Sequence, residues 1–238
     1  MNFEGKDKSH YVQDTFNSIA GKYDLMNTLM SLGMDNSWRR RTVKKVGAKQ
    51  GMNMLDVCCG TGKMTLTLAA AVSPAGQVTG LDFSEEMLSI AGKSISASPY
   101  KERIVLMQGD AMSLPFDENC FDGATVGWGL RNLPDLRQGI KEMIRIVKPG
   151  SMIVSLDMGK PTLPIYKQLY WLYFEKIIPF LGRMHGGKQK EYAYLYHSAC
   201  EFESQEQLAD IFAECGLENC GYINLLGGVV AIVYGKKE

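Results

Sequence analysis

From residue 52 to residue 157, short apolar runs alternate with segments of helical periodicity, and this alternation restricts the fold more than any other feature of the chain. Strands alternating with helices indicate a parallel sheet, and right-handed crossovers place helices on both of its faces. Five strands are predicted in this region: MNMLDVCC (52–59), QVTGLD (77–82), RIVLMQ (103–108), FDGATVG (121–127) and SMIVSLD (151–157).

The helices between these strands have recognisable starts and ends. Residues 63–72 show a helical spacing of apolar side chains, and Ser84 is a favourable N-cap for the helix after the second strand. Asp135 and Gln138 resemble a capping pair ahead of another amphipathic helix, which we expect Lys148-Pro149-Gly150 to stop. Helices are therefore expected against both faces of the sheet.

After a last amphipathic helix, the chain closes with two further strands, near residues 217–225 and 229–235. Leu226-Gly227-Gly228 joins them, and so short a connection indicates an antiparallel hairpin. The predicted fold class is α/β: a doubly wound, mostly parallel, seven-stranded sheet with an antiparallel last strand.

Two segments lie outside this alternation. Residues 1–50 predict helices ahead of the first strand, and residues 160–203 interrupt the chain after the fifth. We expect one domain over residues 1–238, with the first segment as a helical N-terminal cover and the second as a helical insertion on the substrate side. Within the insertion, residues 163–182 are amphipathic, which fits an isoprenoid groove, a bilayer surface or ordinary packing on the core.

The charge balance limits the partners. The chain carries 26 basic and 26 acidic residues, so its net charge attracts it neither to nucleic acid nor to acidic lipid, although a local basic group remains at residues 39–45. Residues 1–10 lack the apolar core of a signal peptide, and no stretch of about 18 uncharged apolar residues occurs. We expect a cytoplasmic protein, with peripheral contact at the inner face of the cell membrane as an open alternative.

The sequence predicts no metal site. The 6 cysteines include no CxxC pair, and the neighbours Cys58 and Cys59 are poorly placed to bond each other. In a reducing cytoplasm they are expected to be free thiols. His185 and His197 have no partners at metal-ligand spacing and are expected to be surface or core residues.

The segment DVCCGTGKMT (56–65) connects the first strand to a helix through two close glycines. In open α/β sheets, ligands bind beyond the carboxyl ends of the strands, where Gly60-Thr61-Gly62 lies, and glycine lets the backbone approach a ligand. Asp82 ends the second strand about 20 residues later, and an acid at that distance accepts the hydroxyls of a ribose. Because Ser84 already supplies the helix cap, these residues predict a site for an adenosine-containing cofactor.

The charge beside the turn distinguishes two such cofactors. A dinucleotide fingerprint has a third glycine where this chain has Thr65, and Asp56 precedes the turn, where it would repel a pyrophosphate. S-adenosylmethionine has no phosphate and carries an α-amino cation, which a nearby acid stabilises. The residues therefore favour S-adenosylmethionine over NAD, while Asp56 also fits a role in organising the loop.

A third loop lies at the same edge of the sheet. Gly109-Asp110-Ala111 follows the third strand, where the Asp110 carboxylate is placed to accept a hydrogen bond from an adenine amino group. The backbone N–H of Ala111 is then expected to reach the ring.

Several motifs together resemble known enzymes. LDVCCGTG, GLDFSEEML, GDAMSLPF and VKPG are similar to motifs of class I S-adenosylmethionine-dependent methyltransferases, which have a Rossmann-like fold. More narrowly, YDLMNTLMSLGMDNSWRR (23–40) and GWGLRNLPD (127–135) resemble the ubiquinone/menaquinone biosynthesis C-methyltransferase family. The likeness extends from about Tyr11 to Gly235 and includes the aromatic segment of the 160s and 170s.

The resemblance implies methylation of a ring carbon of a reduced polyprenylated quinone. CCGTG favours the menaquinone branch, with demethylmenaquinol as substrate; a polyprenyl methoxy-benzoquinol of ubiquinone synthesis is the alternative. The chain departs from the family pattern where Asp35 replaces a histidine and where Asp157 and Gly159 replace a Glu-x-Ser pattern. The family motifs place the cofactor contacts at Thr61, Asp82, Asp110, Ala111 and Gly127.

Candidate catalytic residues follow the fourth strand. Arg131 is placed to stabilise a phenolate, and Asn132 to orient the hydroxyl or a water that takes its proton. Arginine is too basic to act as the base itself. The alternative is structural: a salt bridge at the start of a helix and a turn asparagine.

Tyr23, Met26 and Asn27 are expected to bind substrate as part of the N-terminal cover and to exclude water. Tyr23 and Met26 also have near-helical spacing, which fits plain helix packing.

Three other functions remain open from the sequence. They are methylation of another hydroxylated aromatic compound, a nicotinamide oxidoreductase with a degenerate loop, and a nonenzymatic protein that binds the cofactor structurally within an assembly for quinone synthesis. The sequence leaves the oligomeric state open.

Overall fold

The computed structural model describes residues 6–161, 194 and 197–238. Seven strands form one sheet: β1 (Asn53–Val57), β2 (Gln77–Asp82), β3 (Ile104–Gln108), β4 (Phe121–Gly127), β5 (Val147–Met158), β6 (Glu218–Leu225) and β7 (Val230–Lys236). The helices that support the site are α1 (Lys6–Met30), α2 (Asp35–Val46), α3 (Lys63–Val72), α4 (Glu85–Ser96), α5 (Leu136–Ile146) and α6 (Gln205–Glu214).

The sheet has the strand order β3-β2-β1-β4-β5-β7-β6. Strands β1 to β5 pair in parallel, and β7 runs antiparallel to both of its neighbours, β5 and β6. The predicted class is confirmed. The chain order reverses between β1 and β4, and a crevice at such a switch point, beyond the carboxyl ends of the strands, is where ligands bind in open α/β sheets.

Two predicted strand boundaries are wrong. β1 ends at Val57, since Cys58 adopts a left-handed conformation (φ 55°) and begins the turn. β5 begins at Val147, directly after α5, so the Lys148-Pro149-Gly150 segment lies within the strand instead of separating it from the helix. Gly150 has a φ of 84°, and the pairing of β4 with β5 is irregular at this end, which accommodates the proline and glycine.

Both faces of the sheet are covered by helices, which explains why four of the five residues of β1 are buried. One core cluster includes Leu55, Ile140 of α5 and Phe212 of α6. The other includes Met54 and Leu68 of α3. Successive β1 residues thus contribute to opposite layers, as the alternation of side chains along a strand requires.

The helices that the sequence predicted ahead of the first strand are α1 and α2. α1 packs against α4 near the carboxyl ends of the strands, and its Met26 is buried in a small cluster with Ile19 and Tyr194. None of the helices among the described residues is long and apolar enough to cross a membrane. The amphipathic segment 163–182 and His185 lie outside the described residues.

Candidate active site

The turn after β1 contains left-handed backbone conformations, which residues with a side chain rarely adopt. Gly60 has a φ of 54° and Gly62 a φ of 80°. The Gly60 N–H donates to Asp82 Oδ2 at 2.7 Å. A Cβ on Gly62 would lie 3.1 Å from the Ala91 Cβ, so this glycine allows α4 to approach the turn and faces α4 instead of a cavity.

Asp82 connects two loops at the end of β2. Its other oxygen, Oδ1, accepts a hydrogen bond from the Ser84 N–H at 2.9 Å, and burial raises the pKa of this carboxyl. Ser84 caps α4 by accepting the Met87 N–H at 3.1 Å, as the sequence predicted. A carboxylate accepts about four hydrogen bonds, so Asp82 retains acceptor sites for the two hydroxyls of a ribose.

The first cavity extends from Asp82 to the loop that follows β3, residues 109–111. Asp110 lines it and holds its own loop by accepting the Met112 N–H at 2.8 Å. No lysine or arginine lines this cavity within the described part of the chain, so it suits an uncharged nucleoside better than a phosphate. Its other lining residues include Gly60, Phe83, Met87, Ala111 and Gly127 from the sheet side and Val12, Gln13, Phe16 and Tyr23 from α1.

A second, smaller and more polar cavity lies on the other side of the turn, and Asp56 lies at its floor. Asp56 is fully buried and accepts hydrogen bonds from Thr65 Oγ1 at 2.6 Å and Thr125 Oγ1 at 2.9 Å. Burial raises the pKa of Asp56 to about 6, against the effect of those two bonds. Thr61 also lines the cavity and donates to Asp24 of α1 at 2.7 Å.

Two cations line the same polar cavity, and the sequence analysis missed their role. Arg39 is buried, binds Asp35 at 2.6 Å and lies 5.2 Å from the centroid of the Trp128 ring. Lys63 lies 3.6 Å from Asp24. An acid and two cations in one cavity fit the amino and carboxyl groups of an α-amino acid. The signal was the arginine run at 39–41, which the sequence indicated only as a basic surface group.

A third cavity is largely apolar. Arg131 and Asn27 are among its few polar lining residues. Its apolar lining comes from the end of α1, the start of α2, the end of β5 and the loop before β7: Met30, Leu32, Met34, Trp38, Met158, Leu226, Val229 and Val230. Such a lining fits an apolar substrate with one polar end.

Tyr23 and Trp128 line all three cavities and therefore mark where they meet. Trp128 has a φ of 55°, a strained value for an aromatic residue, and its N–H donates to the Leu156 carbonyl at 2.7 Å. Backbone strain of this kind is found preferentially at functional sites. Trp128 belongs to the GWGLRNLPD motif, but nothing in the sequence pattern indicates that it lies where the cavities meet.

Arg131 forms a buried ion pair with Asp157 at the end of β5; the exposed fractions of their side chains are 6% and 3%. The Arg131 Nε and Asp157 Oδ2 atoms are buried and have no hydrogen-bond partner among the described residues, and the same holds for the neighbouring Ser155 Oγ. The salt bridge of the structural alternative is present: Arg131 lies in the short helical turn Leu130–Asn132 ahead of α5, and its partner Asp157 lies on β5. Arg131 nevertheless lines the apolar cavity.

Asn132 lies in the short helical turn that follows β4, beside two tyrosines. Its amide donates to the Trp128 carbonyl at 3.0 Å, and its oxygen accepts from the Tyr194 hydroxyl at 3.0 Å. Burial raises the pKa of Tyr194 to about 12 and raises that of Tyr23, although the charge of Arg131 opposes both shifts. Both phenols are therefore neutral hydrogen-bond donors near pH 7.

The predicted site residues are largely brought together by the fold. Gly60, Asp82, Asp110, Ala111, Gly127, Tyr23 and Asn132 line the first cavity, Asp56 and Thr61 line the polar one, and Arg131 and Asn27 line the apolar one. Gly62 and Met26 line none of these three cavities. Met26 is 2% exposed and packs within the cover, so its predicted contact with substrate finds no support in this geometry.

Residues 4–237 match the ubiE/COQ5 methyltransferase family. The chain is 62% identical over 237 residues to the demethylmenaquinone methyltransferase of Desulfitobacterium hafniense, which covers all of this chain and 94% of that protein. It is 44% identical to the protein of the same name from Shouchella clausii, with 97% of each chain covered.

Solved structures with the same fold are more distant in sequence. A SAM-dependent methyltransferase from Thermotoga maritima superimposes with a TM-score of 0.68 at 18% identity, covering 95% of this chain and 100% of that one. One from Aquifex aeolicus has a TM-score of 0.61 at 20% identity, covering 83% and 88%. At these identities the likeness concerns the fold alone.

Proposed function

The chain belongs to the ubiE/COQ5 methyltransferase family, and on this premise we propose that it transfers a methyl group from S-adenosylmethionine to a ring carbon of demethylmenaquinol. The full-length similarity to proteins named demethylmenaquinone methyltransferase supports the choice of substrate. Membership of a methyltransferase family removes the nicotinamide oxidoreductase from consideration.

The observation that carries the proposal is the meeting of three different cavities at Tyr23 and Trp128. One is suited to a nucleoside, one to an amino acid and one to an apolar molecule with a polar end. S-adenosylmethionine joins a nucleoside to an amino acid through its sulfonium. A cofactor that occupies the first two cavities therefore directs its methyl group to the point where the apolar cavity begins.

We assign the cofactor contacts as follows. Asp82 accepts the ribose hydroxyls, and the Asp110–Ala111 loop binds the adenine edge. Asp56 stabilises the α-amino group, while Arg39 and Lys63 bind the carboxylate. Gly60, Thr61 and Gly127 form the walls between these groups. Asp35, which replaces the family's histidine, positions Arg39 through their hydrogen bond of 2.6 Å.

When bound, S-adenosylmethionine supplies an activated methyl group. Arg131 lines the apolar cavity, and its ion pair with Asp157 holds the guanidinium group in place. It can therefore stabilise the negative charge that develops on a quinol oxygen. Asn132 lines the first cavity and is held by Tyr194 and by Trp128, which borders both cavities, so we assign it to orient the quinol hydroxyl where the two cavities meet. Tyr23 donates a hydrogen bond and, with Trp128, excludes water from the point of transfer.

Placement is the main contribution that these residues make. Alignment of reacting groups contributes about 7–11 kcal/mol in favourable cases. Neither Arg131, which is permanently protonated, nor the two neutral tyrosines is suited to remove the proton, so we assign that role to a water held by Arg131 and Asn132.

The direct test is to incubate the purified protein with methyl-labelled S-adenosylmethionine and reduced demethylmenaquinone and to analyse the product by mass spectrometry. We expect label on the naphthoquinol ring. Transfer only to a methoxy-benzoquinol or to short soluble phenols would identify one of the alternative substrates. Tight cofactor binding without transfer to any quinol would favour the nonenzymatic alternative.

The proposed substrate carries a polyprenyl chain, so we also propose that the enzyme acts at the cytoplasmic face of the cell membrane as a peripheral protein.

A further inference from the structure

The exposed side of α1 changes character along the helix. Asp14, Ser18 and Gly21 are exposed in its first part, and Leu25 and Leu29 are exposed in its last turns, to 53% and 43%. Their spacings of three and four residues place all five on one side of the helix. The exposed side is therefore polar or small at first and becomes apolar only at the end that reaches the apolar cavity.

Two further exposed leucines continue this surface. Leu32 follows α1 with 81% of its side chain exposed, and Leu226 precedes β7 with 41% exposed. Both also line the apolar cavity. We call Leu25, Leu29, Leu32 and Leu226 the apolar rim. A cluster of exposed large apolar residues around a cavity mouth indicates an interaction surface.

Positive charge follows the apolar rim along the chain. α2 begins three residues after Leu32, and its side chains at Arg40, Arg41 and Lys44 are exposed. The one acid in α2, Asp35, is buried and paired with Arg39, so it does not offset these charges at the surface. We call Arg40, Arg41 and Lys44 the basic face.

We propose that the apolar rim and the basic face dock together onto a bilayer that contains anionic lipid, with the apolar cavity opening toward the hydrocarbon. The proposal rests on the proposed function, because a polyprenylated quinol must pass from the bilayer into the cavity. Apolar side chains that enter the interface beside cations that meet anionic headgroups are the usual means of peripheral binding. The zero net charge of the whole chain does not prevent it, since headgroup attraction is local.

A second copy of this chain fits the same surface less well. In a two-fold symmetric dimer the same patch meets itself, so the cations of the basic face would lie close to those of the partner. Repulsion between them opposes such a contact, whereas anionic headgroups attract them.

The first test is flotation of the full chain with vesicles of phosphatidylglycerol and phosphatidylcholine. We expect Leu25→Ser/Leu29→Ser to lower vesicle partitioning by about tenfold or more, because each leucine transfers apolar area into the interface. The matched control is Val105→Ser: Val105 is 52% exposed, but it lies on β3, the edge strand far from the rim. It should change partitioning by less than about twofold.

The second test concerns charge. Arg40→Gln/Arg41→Gln should remove most of the preference for vesicles with phosphatidylglycerol over pure phosphatidylcholine, and raised salt should do the same to the parent protein. Partitioning of the leucine variant that equals the parent's would overturn the proposal. So would light scattering that shows a dimer that the leucine substitutions dissociate.

Activity separates this proposal from the proposed function. The leucine variant should methylate a short-chain naphthoquinol in detergent as fast as the parent and lose activity on the prenylated quinol in vesicles. If the parent methylates no quinol but vesicle binding still follows the leucines and arginines, the proposed function fails and the docking surface stands.

Discussion

At the scale of single residues, the site depends on a few acids, fully or partly buried, that each hold a loop and also line a cavity. Asp82 holds the Gly60 turn and the start of α4 through two backbone N–H groups while it lines the first cavity. Asp56 and Asp110 show the same combination in their own loops. A substitution at such a residue therefore affects geometry and binding together, and the choice of substitution matters.

Asp82→Asn keeps one side-chain oxygen for the backbone and removes the charged acceptor for the ribose. We expect the Kd for S-adenosylmethionine, measured by calorimetry, to rise about tenfold or more, since hydrogen bonds to charged groups contribute about 1.5–3 kcal/mol. Turnover at saturating cofactor should change less. Asp117→Asn, at an exposed acid outside the three cavities, is the control and should leave binding unchanged. An unaltered Kd for Asp82→Asn would contradict the proposal that Asp82 binds the ribose hydroxyls.

Arg131→Met should leave the Asp157 carboxylate buried without its partner. Loss of one member of a buried pair costs about 3–5 kcal/mol, and urea unfolding should show a decrease of that order. Arg131→Met/Asp157→Leu should recover most of the stability and none of the turnover. The control is Arg137→Met, which breaks an exposed pair with Glu214 and should leave stability nearly unchanged. Recovery of turnover in the double variant would exclude a catalytic role for Arg131.

Asp56 predicts a pH dependence of stability. Its pKa is raised to about 6 in the folded protein, above the ordinary value of 3.8, so the folded state holds its proton more tightly than the unfolded state. The free energy of unfolding should fall by up to about 3 kcal/mol as the pH rises between these two values, and then level off. Urea unfolding of the parent and of Asp56→Asn isolates this effect. As the pH rises, the free energy of unfolding of the parent should fall relative to that of the variant. A difference between the two unfolding free energies that does not change with pH would contradict the raised pKa of Asp56.

At the scale of secondary-structure elements, α1 completes the site from outside the sheet. Asp24 accepts the Thr61 hydroxyl, and Asn17 is hydrogen-bonded to the Ser84 hydroxyl at 2.5 Å. These bonds tie the helix to two loops that line the first and polar cavities. The helix is therefore held over the site by hydrogen bonds to residues that line its cavities.

Asp24→Ala should loosen this cover. We expect about tenfold weaker binding of S-adenosylmethionine and faster amide exchange along α1, because one charge-assisted hydrogen bond contributes about 1.5 kcal/mol. The matched control is Asp14→Ala on the exposed side of the same helix. Equal exchange in both variants would show that Asp24 does not hold the cover.

At the scale of the whole molecule, the proposed cofactor contacts come from several separate elements: the loops that follow β1, β2, β3 and β4, and the helices α1 and α2. A ligand that contacts all of them must stabilise the folded state as a unit, by an amount that depends only on its concentration relative to Kd.

S-adenosylmethionine at about 100 times its Kd should add about 2.7 kcal/mol, which raises the Tm of a chain of this size by about 5–10 °C. NAD at the same concentration should give no shift, and Asp82→Asn should reduce the shift by S-adenosylmethionine. A rise of the melting temperature with NAD alone would contradict the assignment of the first cavity to the nucleoside of S-adenosylmethionine.

Much of the fold was predictable because it depends on local patterns. The strand and helix periodicities, the caps at Ser84 and Asp135 and the final hairpin all follow from neighbouring residues, and the structure confirms them. The boundary at β5 was wrong because a Lys-Pro-Gly sequence ordinarily ends structure locally, whereas here β4 pairs on both sides of it, with Val147 before and Met152 after the irregularity.

The amino-acid sequence by itself determined the class of fold, the edge of the sheet at which the cavities lie and, through spacing and the resemblance of its motifs to a known family, most of the side chains that line them. Only the tertiary structure decided which distant residues meet: Arg39 with Asp35 and Trp128, and Arg131 with Asp157. It also placed β7 between β5 and β6 and brought the last turns of α1, with Asn27 and Met30, to the apolar cavity. Such contacts depend on how layers pack in three dimensions, and no local pattern encodes them.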